Sequence, residues 1–191
     1  MRITPVCLMA AMAALPAVAE PVDGKAAKAA LFKPAPAEAV LVPQDVLDEK
    51  EGQIAVQVAG QQPYYGAMAV APEDGLLSDA TVAATNYHDV DAAREAALEG
   101  CNARRKGAAA CVIVAEIRPM GHEARPLQLS SAATEAFHGY YRKQRGAKAM
   151  AISLSTGKWA VATGEGAEAQ ALADCALAAR AEDCLVAILD D

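Results

Sequence analysis

Five cysteines are the residues of this chain best placed to do chemistry, and their spacing decides which chemistry. Cys101 and Cys111 lie ten positions apart, Cys175 and Cys184 lie nine apart, and Cys7 stands alone in an apolar N-terminal run. A four-cysteine zinc site uses C-x₂₋₄-C pairs, a spacing that neither pair has. A catalytic thiol must stay unpaired, which an oxidising compartment opposes. Four cysteines allow three disulfide connectivities. The two pairs sit in matching local contexts, and this selects Cys101–Cys111 and Cys175–Cys184. Loops of this size stabilise by roughly 2–3 kcal/mol each when closed, mainly by restricting the unfolded chain.

The other reactive side chains form no constellation. His88, His122 and His138 are far apart and lack the i, i+4 or H-E-x-x-H spacing of metal ligands, so each is expected at the surface or at a helix end. No G-x-S-x-G or phosphate-loop motif is present, and nothing supports a nucleophilic hydrolase or a nucleotide site. Gly164-Glu165-Gly166 could offer backbone N–H groups to an anion, but a strand-to-helix turn explains it equally well. Asp89, Asp91, Glu95 and Glu99 read as a solvated helix face, and no spacing picks out a catalytic carboxylate pair. Aromatics make up only 4% of the chain, so Tyr64-Tyr65, Tyr140-Tyr141 and Trp159 are needed to fill volume that alanines leave open. The sharper expectation is a ligand groove lined by Tyr65, Tyr141 and Trp159. No catalytic residue, metal site or cofactor is expected.

The address is read from the first 19 residues. Met1-Arg2 is positive, Ile3 to Leu15 carries no charge, Pro16 ends the run, and Ala17-Val18-Ala19 has the small-x-small pattern of a signal-peptidase site. Cleavage would remove Cys7 and leave a 172-residue chain starting at Glu20, periplasmic or secreted, with four cysteines. Loss of Arg2 would take the net charge from −7 to −8. No later stretch is apolar enough to span a membrane, so no membrane insertion is expected after cleavage. An acidic chain without a basic cluster argues against nucleic acid and against an anionic membrane surface. The expected partner is an unknown protein or envelope component.

The elements that must position these residues are repeated. Ala67 to Gly75 aligns with Ala149 to Gly157, Ala97-Leu98-Glu99-Gly100-Cys101 with Ala171-Leu172-Ala173-Asp174-Cys175, and Cys111 to Ala115 with Cys184 to Ile188. The first copy holds eight extra residues around Ser78 to Asn86. Each copy has an apolar run, a turn ending in Asp74-Gly75 or Thr156-Gly157, a second extended run, a helix, and a strand beginning at the second cysteine. Leu76 to Tyr87 is the second run of copy one. Asp89 is its helix N-cap, and Val90, Ala93, Ala97 and Cys101 share a face. The fold expectation is α+β: two tandem β-β-α-β repeats forming a mainly antiparallel, six-stranded arrangement with helices packed on it, each with one helix-to-strand disulfide. The divisions are 20–63 (a short helix at Lys25–Phe32, an extended Pro-containing strap and a helix from Asp45 to about Ala59), 64–118 (repeat 1), 119–147 (a linker and a helix from Ser131 to about Gln144) and 148–191 (repeat 2). Because alanine is abundant, a tight core of small side chains is expected.

Tyr65-Gly66-Ala67-Met68-Ala69-Val70 and the Ala-Leu-x-x-Cys…Cys-Val-Ile-Val pattern resemble a family of small secreted bacterial domains of unknown function. The family pattern is Y-G-A-I-A, G-x-W, A-L-x-x-C and C-x-V-V. The resemblance covers about residues 64–117 and 148–190. Copy one has Leu77 in place of the tryptophan. Copy two keeps Gly157-Lys158-Trp159 but has Ala147-Lys148-Ala149 for Tyr-Gly-Ala. The resemblance implies a fold and no activity. Short exported proteins of this look are sometimes labelled 5-aminolevulinate synthase. That chemistry needs pyridoxal phosphate, a Schiff-base lysine and a phosphate cradle, a layout absent from this sequence. The expected function is a non-enzymatic binding or interaction module, with an enzyme at the seam between copies as the alternative. A filled seam favours the first and a polar cleft the second.

Overall fold

The computed structural model describes residues 20–191, so the expected signal segment 1–19 lies outside the described residues. In chain order the elements are α1 (Gly24–Ala30), β1 (Ala37–Leu41), α2 (Glu49–Ala59), β2 (Gly66–Val70), β3 (Val82–Ala84), α3 (Val90–Asn102), β4 (Val112–Pro119), α4 (Ser131–Gly139), β5 (Lys148–Ser153), β6 (Trp159–Thr163), α5 (Ala167–Ala179) and β7 (Cys184–Asp190). The fold is α+β. Its strands form two antiparallel sheets, of order β1-β4-β2-β3 and β6-β5-β7.

Local chemistry accounts for most of these boundaries. The continuous apolar runs of β2 and β5 are central strands, covered on both faces. Asp89 accepts from the Ala92 N–H at 2.7 Å and starts α3, while Ser130 accepts from Ala133 at 3.2 Å and starts α4. Asp48 and Glu51 form a reciprocal capping box, which moves the start of α2 to Glu49 from the expected Asp45. Lacking a side-chain cap, α5 begins after Gly166 (φ 75°) and ends at Arg180 (φ 54°).

Three expectations change. The extended strap supplies β1, which pairs with β4 from Ala37↔Pro119 to Leu41↔Ala115, so there are two sheets in place of one six-stranded arrangement. That pairing covers an edge of β4 that the duplicated unit alone would expose. The second run of copy one shrinks to Val82–Ala84, because residues 75–81 turn repeatedly, with Ser78 N–H bonding Gly75 O and Thr81 N–H bonding Ser78 O. The helix after Ser130 ends at Gly139, followed by a single 3-10 turn at Tyr141–Lys143.

The duplication extends to a shared irregularity. Both β2–β4 and β5–β7 shift register at the same place, between Met68 and Ala69 and between Met150 and Ala151, leaving Val114 and Ala187 as the extra residues. Each sheet is the middle of three layers. On one face the Ala93-Ala97-Cys101 stripe of α3 lies on Ala67, Ala69 and Ala71, and the Ala167-Ala171-Cys175 stripe of α5 lies on Ala149 and Ala151. The opposite faces are built from large residues. Met68, Val70 and Ile117 pack under α2, and Met150, Ile152 and Ile188 pack under α1 and α4. The small-residue core is therefore confined to one face of each sheet, and it is the face that the disulfides reinforce.

Candidate functional site

The disulfides come first because they set the frame. Cys101–Cys111 and Cys175–Cys184 are both formed, with Cα atoms 6.1 and 6.2 Å apart, and each ties the inward stripe of a helix to the start of the following strand. Each disulfide loop is also clasped by the hairpin of its own copy. In copy one Glu73 accepts from the Ala108 N–H at 2.6 Å, and Asp74 accepts from Lys106 and Gly107. In copy two the acid is on the loop instead: Asp183 accepts from the Ser153 hydroxyl at 2.7 Å and from the Ser155 N–H at 2.6 Å. Burial opposes ionisation of Asp183, but these donated hydrogen bonds prevail and hold its carboxyl below the usual range.

The three aromatics expected to share a groove do not share one. Tyr65 is buried under the first sheet, against Tyr64 at 5.3 Å and His122 at 5.7 Å. Tyr141 is buried under the second sheet, stacked on Phe137 at 5.6 Å, with its hydroxyl donating to Lys148 O at 3.2 Å. Trp159 packs half-buried against that same second core. Their need for volume outweighed any convergence, and burial raises the hydroxyl pKa of both Tyr65 and Tyr141.

The seam between copies is occupied by the end of the extra segment of copy one. His88, expected at the surface or a helix end, is 1% exposed there. Its Nδ1 accepts from the Ser130 N–H at 3.0 Å, and its Nε2 faces the Lys158 carbonyl at 3.1 Å. A carbonyl only accepts, so the proton sits on Nε2 and the ring is neutral. Burial holds its pKa below the usual value despite the opposing pull of the Lys158 carbonyl, Asp89 and Asp183. Beside it, Asn86 Oδ1 accepts from Ala132 N–H at 3.0 Å, and a Cβ on Gly157 would collide with the Asn86 carbonyl. At His88 and Gly157 the seam is packed and its polar atoms are bonded.

Two further features are structural. Glu116 is buried on β4 between Arg94, at 2.8 Å, and Arg118. Gly164 and Gly166 have φ of 89° and 75°, and the Ala167 N–H bonds Gly164 O, so this segment forms the strand-to-helix turn. Among the described residues no three His, Cys, Asp or Glu side chains converge as metal ligands would, and no helix is long and apolar enough to cross a membrane.

The most distinctive surface feature escaped the sequence reading. A depression of about 310 Å³ opens over Tyr141, lined by Lys25 and Lys28 of α1, Arg142 of the 3-10 turn, Lys148 of β5, and a single carboxylate, Asp190 at the end of β7. Its walls are fixed from below. Val22 forms a parallel bridge to Ile188, and Asp190 Oδ1 accepts from the Gly24 N–H at 2.8 Å, which docks α1 against β7. Lys148 Nζ donates to Gln144 O at 2.9 Å and lies 3.5 Å from Asp190 and 5.1 Å from the Tyr141 ring centroid. His138 lies near this group. Its pKa is lowered by burial first and then by the charges of Arg142 and Lys28. Among the described residues Lys25, Lys28 and Arg142 enter no ion pair.

The expectation of an acidic chain without a basic cluster is thereby corrected: the fold assembles one. A sequence signal was present. From Ala136 to Gly164 the chain carries no Asp or Glu but holds Arg142, Lys143, Arg145, Lys148 and Lys158. Comparison with protein-family models, with curated proteins and with solved structures finds no match to this chain.

Proposed function

We propose that this chain is an exported, non-enzymatic binding module that holds an envelope component at the cationic depression over Tyr141. The observation that carries the reading is the convergence of Lys25, Lys28, Arg142 and Lys148 from three separate parts of the chain onto one depression, in a protein of net charge −7. A local excess of cations on an acidic molecule concentrates anionic ligands there and repels them elsewhere. The two disulfides and the N-terminal signal pattern support an oxidising, extracytoplasmic setting. The packing at His88 and Gly157 favours this site over one in the seam between copies.

The test is retention. Oxidised residues 20–191 are immobilised and exposed to a bacterial envelope extract, with free chain as competitor. Saturable retention that the free chain competes away, and that Lys28→Glu with Arg142→Glu abolishes, is the expected result. Retention that survives this double charge reversal, or no retention at all, overturns the reading.

A further inference from the structure

We infer that the depression selects a multiply charged phosphate group, a phosphomonoester or pyrophosphate, and that Asp190 occupies part of the site as an internal anion. This rests on the binding-module reading and names the chemistry of its ligand. The charge count sets the class. Four cations line the space against one lining carboxylate, Asp190, with Asp23 of the α1 N-cap also within electrostatic reach of Tyr141, so a single carboxylate or phosphodiester would leave positive charge unmatched. A dianion or trianion would match it. The donors also suit phosphate. Arg142 offers a planar fork, and Lys25 and Lys28 offer mobile ammonium groups, none of them held in an ion pair within the described chain.

Asp190 shows how an anion is held here. One carboxylate oxygen takes the Gly24 N–H at 2.8 Å and the other lies 3.5 Å from Lys148 Nζ. Lys148 is fixed by Gln144 O and by the Tyr141 ring, so it is presented to the depression with little freedom left to lose on binding. A phosphate oxygen entering beside Lys148 competes with Asp190 for that ammonium. Removing the charge of Asp190 should therefore tighten binding, whereas removing any lining cation should weaken it. An electrostatically indifferent patch would not give opposite signs.

The experiment uses oxidised residues 20–191, calorimetric titration with inorganic pyrophosphate and with inorganic phosphate, and co-sedimentation with phosphatidylcholine vesicles containing either phosphatidic acid or phosphatidylglycerol. Pyrophosphate should bind more tightly than phosphate. Lys28→Gln and Arg142→Gln should each weaken it about tenfold, the loss of one charge-assisted contact. Asp190→Asn, which keeps an acceptor for Gly24, should tighten it severalfold. Lys28 and Arg142 are exposed, so an unchanged melting temperature will show that these two variants fold. Binding to phosphatidic acid vesicles that pyrophosphate displaces assigns the group to a lipid headgroup. Binding of pyrophosphate without vesicle binding assigns it to a soluble phosphate. No saturable pyrophosphate binding, or binding unchanged by Lys28→Gln and Arg142→Gln, overturns the inference. Retention of envelope material that remains sensitive to Lys28→Glu and Arg142→Glu would in that case leave the binding-module reading standing.

Discussion

His88 is a side chain whose role is decided by atoms that its neighbours in sequence do not reveal. Its two ring nitrogens are satisfied by backbone groups 42 and 70 positions away, at Ser130 and Lys158, and its ring is buried. No motif encodes such a partner, because every residue has a carbonyl and almost every one has an N–H. The cysteines were legible for the opposite reason: few side chains form covalent bonds, and a repeated spacing of nine or ten is conspicuous. Arg142 and Lys148 stood in an acid-free stretch and could have been noticed, but Lys25 and Lys28 join them only through the docking of α1. Replacing His88 with Phe strands the buried Ser130 N–H, while the Lys158 carbonyl keeps its bond from the Ser153 N–H, and should cost about 1–3 kcal/mol in denaturant melts. The pH dependence follows from the lowered pKa. The unfolded chain, titrating near 6.5, takes up the proton before the folded one, so stability is full above that pH and falls as the pH drops below it. In a His88→Gln variant that loss between neutral pH and about pH 5 should be smaller, and an unchanged slope would rule out His88 as its main source.

At the scale of elements, the duplicated β-β-α-β grammar was readable because apolar runs, turn glycines and the alanine stripe recur at matching places. What it could not show was β1. An Ala- and Pro-containing segment has little strand propensity of its own. It becomes a strand because β4 offers an unpaired edge. The two copies also differ in how their helices are secured. α3 has the Asp89 cap, and Glu73 and Asp74 clasp its disulfide loop, while Arg105 binds the Gly107 and Ala109 carbonyls. α5 has no side-chain cap, and Asp183 clasps its loop through Ser153 and Ser155. Replacing either cystine by a pair of serines should cost roughly 2–3 kcal/mol. With both cystines reduced, the amides of α5 should exchange with solvent faster than those of α3. Equal protection would mean that the caps and clasps contribute little beyond the covalent bonds.

For the molecule as a whole, the question is what joins the two stapled sheets. Two connections do so. The N-terminal segment serves both sheets: Ala27 and Leu31 enter the second core, while β1 and α2 complete the first. Between them, Tyr64 donates its hydroxyl to Lys33 O, and Ser131 donates to Pro34 O, which fixes the crossing segment. The second connection is the seam, where the β5–β6 turn lies directly on Asn86 and Tyr87. Its strength can be isolated with two glycines. Gly157 and Gly146 have nearly the same φ, 68° and 73°, but an added Cβ at Gly146 meets nothing within 4 Å, whereas at Gly157 it strikes the backbone of residues 86 and 87. Gly146→Ala should therefore cost only the left-handed penalty, about 1–2 kcal/mol. Gly157→Ala carries that penalty and must also push the copies apart, so its loss should be clearly larger. The excess in chemical denaturation measures the seam itself. If the wild type melts in one transition and Gly157→Ala in two, the seam is what couples the copies. If both variants lose the same stability in a single transition, the N-terminal segment holds the sheets together and the seam contributes little.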